Sequence, residues 1–218
     1  MRAIILAAGQ GFQLDGCNKI LLKDPRDSKM IIDQYVEYFK DFDITVVVGY
    51  KAIEIIQVHP KLSYIYNEEW NITNNSYSLG LALNDEPCIV LSADLFIDEV
   101  LIQTIVDSAS NCILTENRVN RELNSLNCSL NNEKQIVEMY QGSRHSNKDT
   151  EAMGIYKISN LELLRSWKIN CLRHPNLFCG QNLQLDLSPV FSIDIGSHRL
   201  EEVNTVFDYL RIIDKSVK

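Results

Sequence analysis

The sequence predicts an α/β fold built on a mostly parallel sheet with both faces covered. Three observations predict it. Runs at 3–7, 44–48 and 88–91 are apolar nearly throughout, as strands buried on both faces are. Segments with apolar residues at helical spacing alternate with these runs. Two of the runs break into small or acidic residues, Ala8-Gly9-Gln10-Gly11 and Ser92-Ala93-Asp94. Both breaks fall at strand carboxyl ends, where open parallel sheets bind ligands.

Each element has its own reason. Ala3 to Ala7 is a buried strand, and the small-residue turn Ala8 to Gly11 ends it. A polar turn runs through Asp24-Pro25-Arg26-Asp27. Ser28 is placed to cap a helix over 29–40, where Met30, Ile32, Tyr35, Val36 and Phe39 share a face. Ile44 to Val48 is a second strand, closed by Gly49. Tyr50 to Gln57 is a short helix, Pro60 marks a turn, and Tyr64 to Asn67 is a third strand. Ser76 to Leu83 has the small and apolar residues of a helix packed on a sheet. Cys88 to Leu91 is the fourth strand, and Leu95 to Ala109 is expected to be a helix.

The second half is less regular. Cys112 to Thr115 is expected as a strand. Asn124 to Leu130 and Gln135 to Met139 pair across an Asn131-Asn132 turn. Gln141 to Thr150 is polar and expected to be a mobile loop. Ala152 to Ile158 is a strand, Asn160 caps a helix through Trp167, Phe191 to Ile195 is a late strand, and Val206 to Asp214 is a closing helix. No repeat, low-complexity tract or linker interrupts the chain, so one domain over 1–218 is expected.

Composition narrows the function. A net charge of −8 disfavours a general nucleic-acid binder, which wants a basic face. Cys17, Cys88, Cys112, Cys128, Cys171 and Cys179 are scattered, without Cys-x-x-Cys and without clustered histidines, which argues against zinc. No apolar run spans a bilayer and no cleavable signal precedes the first strand. A cytoplasmic protein with free thiols and no membrane partner is expected.

The first turn carries the chemistry. Small residues let backbone N–H groups approach an anion, and Lys19 follows on the same loop. Together they are what a triphosphate needs: amide donors and one mobile cation. The glycine pair by itself is weak. A dinucleotide fingerprint wants glycine where Leu14 stands, and Gly-Lys-Ser/Thr is absent. The fuller string, Leu6-Ala7-Ala8-Gly9-x-Gly11 with Lys19 after a spacer, resembles the opening of the nucleotidyltransferases that activate sugar phosphates and phospho-alcohols. Gln13 and Asn18 stand where that family has arginine and proline.

The resemblance extends to three further stretches. In Val90-Leu91-Ser92-Ala93-Asp94, the aspartate falls where the family holds Mg²⁺; a helix cap is the ordinary alternative. In Glu202-Val203-Asn204-Thr205-Val206-Phe207-Asp208-Tyr209, Asn204 takes the second metal position, with capping of the last helix by Asn204 or Thr205 as its alternative and Asp194 as a rival ligand. The stretch from Asn67 through Asn74-Asn75-Ser76-Tyr77-Ser78-Leu79 resembles bacterial phosphocholine cytidylyltransferases, in which asparagine and serine approach base and ribose; a polar turn capping the Ser76 helix is the alternative.

The resemblance implies a three-layer α/β/α, Rossmann-like nucleotidyltransferase fold with a mixed, mostly parallel sheet. It implies that residues 1–110 hold the nucleotide and that 111–218 elaborate an acceptor site. The implied activity is a Mg²⁺-dependent cytidylyltransferase passing CMP from CTP to a phosphate or phosphonate acceptor, of phosphocholine or 2-aminoethylphosphonate type. On the same resemblance, Lys19 and Asp94 are catalytic, and Asp94 and Asn204 hold the metal. Leu6, Ala7, Ala8, Gly9, Gln10, Gly11, Gln13, Asn74, Asn75, Ser78 and Ala93 are expected to bind the nucleotide. Trp70, Tyr77 and Glu151 are expected to box an ammonium head group, the last in a Glu151-Ala152-Met153-Gly154 strand that resembles the family's acceptor side. Arg118, Arg144 and Lys148 are candidates for the acceptor's phosphate, and Lys23 or Lys29 for replacing the missing arginine charge. Sugar-1-phosphate or polyol-phosphate transfer, and a catalytically impaired nucleotide binder, are the alternatives. The assembly is left open, a homodimer included.

Overall fold

The computed structural model describes residues 1–117 and 125–216. Arg118 and Asn124, for which the sequence set expectations, lie outside them. The chain runs β1 (Arg2–Ala7), α1 (Ile31–Tyr38), β2 (Asp43–Val48), α2 (Ala52–Val58), β3 (Ser63–Tyr66), α3 (Asn75–Ala82), β4 (Cys88–Ser92), β5 (Leu95–Ile97) and α4 (Glu99–Asp107). It continues through β6 (Asn111–Glu116), β7 (Leu126–Leu130), β8 (Ile136–Gln141), β9 (Thr150–Ile158), α5 (Leu161–Arg173), β10 (Val190–Asp194), β11 (Leu200–Glu202) and α6 (Val206–Ser216).

The main sheet has the order β10-β6-β9-β4-β1-β2-β3. Neighbours are parallel except around β9, which runs antiparallel to both β4 and β6. The β7–β8 hairpin joins through β9, and β5 pairs with β11 in a separate ribbon. The sheet therefore draws strands from both halves of the chain.

Alternation along each strand divides the core into two layers, as period-two side chains must. Ile5, Val46, Val48, Ile89 and Leu91 face α1, α2 and α4, meeting Ile31, Tyr35, Ile55, Leu101 and Ile105. Ile4, Val47, Val90 and Ile113 face α3 and α5, meeting Leu79, Leu163, Leu164 and Trp167. Trp167 is fully buried, and its indole N–H donates to the Cys179 carbonyl at 2.6 Å. Trp167→Ala is expected to cost about 3–5 kcal/mol, read as a lower urea midpoint with an unchanged slope.

Several boundaries differ from expectation for local reasons. Residues 95–97 form β5, not the first turn of a helix. All three are buried, and their backbone pairs with Leu200–Glu202 before α4 begins. Ser28 is no cap, because it sits at φ +64° in the turn closed by Asp24 and Lys29. The Asp33 carboxylate instead accepts from Met30 N, one residue before α1. Tyr50 stays outside the helix because its N–H donates to Ala8 O, so α2 starts at Ala52. Asn160 caps α5 as expected, accepting from Leu163 N at 2.9 Å, but the helix runs on to Arg173. The turn between β8 and β9 is shorter than 141–150. Asp149 folds it back by accepting from Tyr140 Oη at 2.5 Å and Ser146 N at 2.8 Å.

Candidate active site

From β1 the chain crosses to β2 and β3, then returns through α3 to β4 on the other side of β1. The connections leave β1 and β4 in opposite directions, so a crevice opens at their carboxyl ends. The turn 8–11 follows β1, and Ala93-Asp94 follows β4, so both face this crevice. A Cβ on Gly9 would meet no atom within 4 Å, so the turn is open toward the cleft. Gly49 closes the neighbouring strand because a Cβ there would lie 2.6 Å from Trp70 Cβ and 2.7 Å from Ala8 O.

Lys19 stands in a short 3-10 turn, Lys19–Leu21. Buried Asn18 anchors that turn, its amide donating to Glu54 Oε2 at 3.0 Å and to Lys51 O at 3.4 Å. Asparagine in place of proline thus supplies a tether from α2. The Lys19 ammonium donates to Asp94 Oδ2 at 2.9 Å and to Asn204 Oδ1 at 2.8 Å. Three residues from remote segments meet at one point. Asp94 caps no helix, since β5 follows it directly. Asn204 is likewise free of capping duty. Thr205 Oγ1 accepts from Asp208 N, and Asp208 Oδ2 accepts from Thr205 N, a reciprocal cap at the start of α6.

Asp94 Oδ1 is buried and has no hydrogen-bond partner among the described residues. Such an orphaned carboxylate oxygen is costly unless something binds there. Glu202 lies beside it on β11, a position that no motif singles out for a role. Burial, then the Asp94 charge, pushes the Glu202 carboxyl up to about 7, although the Asn204 amide and Lys19 pull the other way. Asp94, Asn204 and Glu202 form an oxygen-only donor set, the chemistry a hard divalent cation takes. Among the described residues no group of three or more His, Cys, Asp or Glu side chains is arranged to hold a metal unaided.

The raised Glu202 pKa predicts a pH dependence. The folded protein holds the proton more tightly than the unfolded chain, whose carboxyl titrates near 4.5. The stability this gives is full below that value and is lost as pH rises through about 7. Glu202→Gln should therefore flatten the fall in melting temperature between pH 5 and pH 8, gaining at most about 3 kcal/mol over the parent at the alkaline end.

Two connected clefts meet at this cluster. The smaller, about 220 Å³, is lined by Leu6, Ala7, Ala8, Gly9, Gln10 and Gly11, with Asn74, Asn75, Ser78, Ala93 and Trp70. The larger, about 540 Å³, is lined by Gln13, Glu151, Phe178, Glu202, Asn204 and Arg211 among others. Lys19, Asp94, Asn74 and Asn75 line both. Asn74 Oδ1 accepts from Asn75 N, Asn75 Oδ1 accepts from Cys179 N, and Ser78 Oγ accepts from Asn67 Nδ2. The asparagines thus cap and brace α3 while lining the cleft.

The expected ammonium box is not assembled. Trp70 walls the smaller cleft against Tyr50, Glu151 lines the larger, and Tyr77 lines neither. Arg144, Lys148, Lys23 and Lys29 line neither cleft, and Lys29 pairs with Glu37. Asp194 turns to Gly196 N at 2.7 Å, away from Lys19's cluster. Besides Lys19, the cation that lines the larger cleft with Gln13 is Arg211 on α6, paired with Asp208 at 3.1 Å. No local motif marks it, because it enters from the last helix.

The architecture, a mixed and mostly parallel α/β/α sheet with its crevice at the β1/β4 switch, is a fold shared with solved nucleotidyltransferase structures. In particular, the structure aligns over its whole length with CTP:phosphocholine cytidylyltransferase from Streptococcus pneumoniae, covering 99% of that chain, at a TM-score of 0.81 and 19% identity. It also aligns with the inositol-1-phosphate CTP transferase of T. maritima (TM-score 0.71, 16% identity, 100% of this chain and 96% of that one). A nucleoside-diphosphate-sugar pyrophosphorylase from Vibrio cholerae RC9 matches at a TM-score of 0.74 and 10% identity, over 97% and 99% of the two chains. No protein-family profile matches the sequence, and no curated protein matches it significantly. No helix among the described residues is long and apolar enough to cross a membrane.

Proposed function

We propose that the protein is a cytidylyltransferase that passes CMP from CTP to a small phosphate- or phosphonate-bearing acceptor and releases pyrophosphate. The observation that carries this reading is the meeting of Lys19, Asp94 and Asn204 at the junction of the two clefts. The smaller cleft takes the nucleoside and the turn 8–11 its phosphates. Neither the Asn74 nor the Asn75 side-chain NH₂ has an acceptor among the described residues. These groups are therefore donors for the cytosine carbonyl and ring nitrogen.

The larger cleft takes the acceptor. Its Glu151 side chain, with Phe178, suits an ammonium head group, and Arg211 with Gln13 suits a phosphate or phosphonate. One acceptor oxygen attacks the α-phosphorus in line, the bond to the bridging oxygen breaks, and pyrophosphate carries away the electron pair. The acceptor oxygen is already an anion, so no base is required. Lys19 leaves its two oxygen partners for the α-phosphoryl oxygens and neutralises charge as it spreads there. The donor set of Asp94 and Asn204, with the orphaned Asp94 oxygen, fits Mg²⁺, which when bound shares the triphosphate charge.

Sugar-1-phosphate or inositol-phosphate transfer is the second reading, favoured by the kinds of substrate named for the structural neighbours. Pyrophosphate release over CTP, UTP, GTP, ATP and dTTP, each with phosphocholine, 2-aminoethylphosphonate, glucose-1-phosphate or inositol-1-phosphate, separates the two. Turnover should be highest with CTP and an aminoalkyl acceptor. A preference for sugar phosphates would replace the first reading by the second, and CTP binding without turnover on any acceptor would remove both.

A further inference from the structure

One charge network, centred on the buried Asp24, joins the three segments that carry the cluster. Asp24 is 0% exposed, five residues after Lys19. Its carboxylate accepts from Arg199 Nη1 at 2.5 Å and Nη2 at 3.3 Å, from the Arg26 N–H and side chain, and from Gln34 Nε2. Arg199 lies five residues before Asn204, stacked over Phe96 with its guanidinium carbon 5.3 Å from the ring centre. Asp98, four residues after Asp94, accepts from Arg199 N at 2.9 Å and from Arg26 Nη1 at 3.3 Å. Each cluster residue is therefore four or five residues from a member of this network. Burial alone would raise the Asp24 carboxyl, but its bonds to Arg199 and Arg26 hold it at about 2, so it stays ionised.

We infer that Asp24 and Arg199 are positioning residues: their ion pair sets the Lys19 turn against the strand ends bearing Asp94 and Asn204. The inference rests on the nucleotidyl-transfer reading. A bidentate pair between rigid segments holds a geometry that neither segment holds alone, and a misplacement of about 1 Å at a reacting group costs up to roughly 100-fold. Nucleotide contacts in the smaller cleft lie outside the network.

The test compares Asp24→Asn and Arg199→Lys with the parent, well below each protein's melting temperature. Three readouts are taken: kcat with saturating CTP and acceptor, Mn²⁺ binding to the CTP-loaded protein by electron paramagnetic resonance, and CTP affinity without metal. The expected result is a roughly 10- to 100-fold lower kcat and weaker Mn²⁺ binding, with CTP affinity within about threefold of the parent. A lower melting temperature with unchanged kcat and unchanged Mn²⁺ binding would reduce the pair to a fold support and overturn the inference. Should Asp24→Asn fail to fold, Arg199→Lys decides by the same readouts, since it keeps the charge and loses the guanidinium fork to Asp24 together with its bond to Glu201 and its stacking on Phe96. A parent without transferase activity would sink the proposed function instead, and the Mn²⁺ measurement would still decide the clamp.

Discussion

Replacing Lys19 by alanine is expected to lower kcat for pyrophosphate release by about 10²- to 10³-fold, the usual loss when one preorganised donor to a developing oxyanion is removed. Lys19 is the cation that lines both clefts, and its ammonium lies within 3 Å of two oxygens at their junction. Arg211 lines only the larger cleft and is paired with Asp208. It cannot substitute for a charge at the α-phosphate. Lys19→Arg should recover little, because a planar fork does not fit where one point charge bridges a carboxylate and an amide oxygen. Stability should fall by only about 1 kcal/mol, since both side chains of the pair keep some solvent contact. Single-turnover rates at saturating CTP, with thermal melts on the same samples, separate chemistry from folding. A Lys19→Ala rate within about threefold of the parent would remove the lysine from the reaction.

The parts of this site that are legible in the sequence are those encoded locally. The turn 8–11 and the aspartate at the tip of β4 follow apolar strands within a few residues, and Lys19 lies further along the loop that the turn opens, so strand pattern, loop motif and residue type suffice to find them. The β5 strand is hidden because Leu95-Phe96-Ile97 runs without a break into the helical pattern of α4, and only pairing with Leu200–Glu202 decides between them. Tryptophan suits an ammonium group, which by itself points Trp70 to the acceptor. The structure sets Trp70 beside the turn 8–11, where Gly49 leaves room for it: a Cβ there would lie 2.6 Å from Trp70 Cβ and 2.7 Å from Ala8 O. Glu202 and Arg211 depend on where β11 and α6 come to rest, and the Asp24–Arg199 pair joins positions 175 residues apart. Such partners have no signature in one sequence, because either alone is an ordinary loop residue.

Asp94→Asn is expected to have the largest effect of all, about 10³-fold or more on kcat, with a steep rise in the Mg²⁺ needed for half-maximal rate. The substitution keeps the size of the side chain and an oxygen that Lys19 can donate to, so the fold and the lysine's placement should survive. What it removes is one negative charge and one of two carboxylate oxygens, of which Oδ1 is the orphaned, buried one. Two roles for Asp94 are distinguishable by a double-mutant cycle. If the carboxylate served only to orient Lys19, Asp94→Asn would cost nothing further once Lys19 is alanine, because there would be nothing left to orient. If it holds a divalent cation beside the triphosphate, the two losses should multiply, and Mn²⁺ binding to the CTP-loaded protein should fall in Asp94→Asn whether or not Lys19 is present. Mn²⁺ affinity untouched by Asp94→Asn in both backgrounds would end the proposed metal role and leave the aspartate as the lysine's counter-ion.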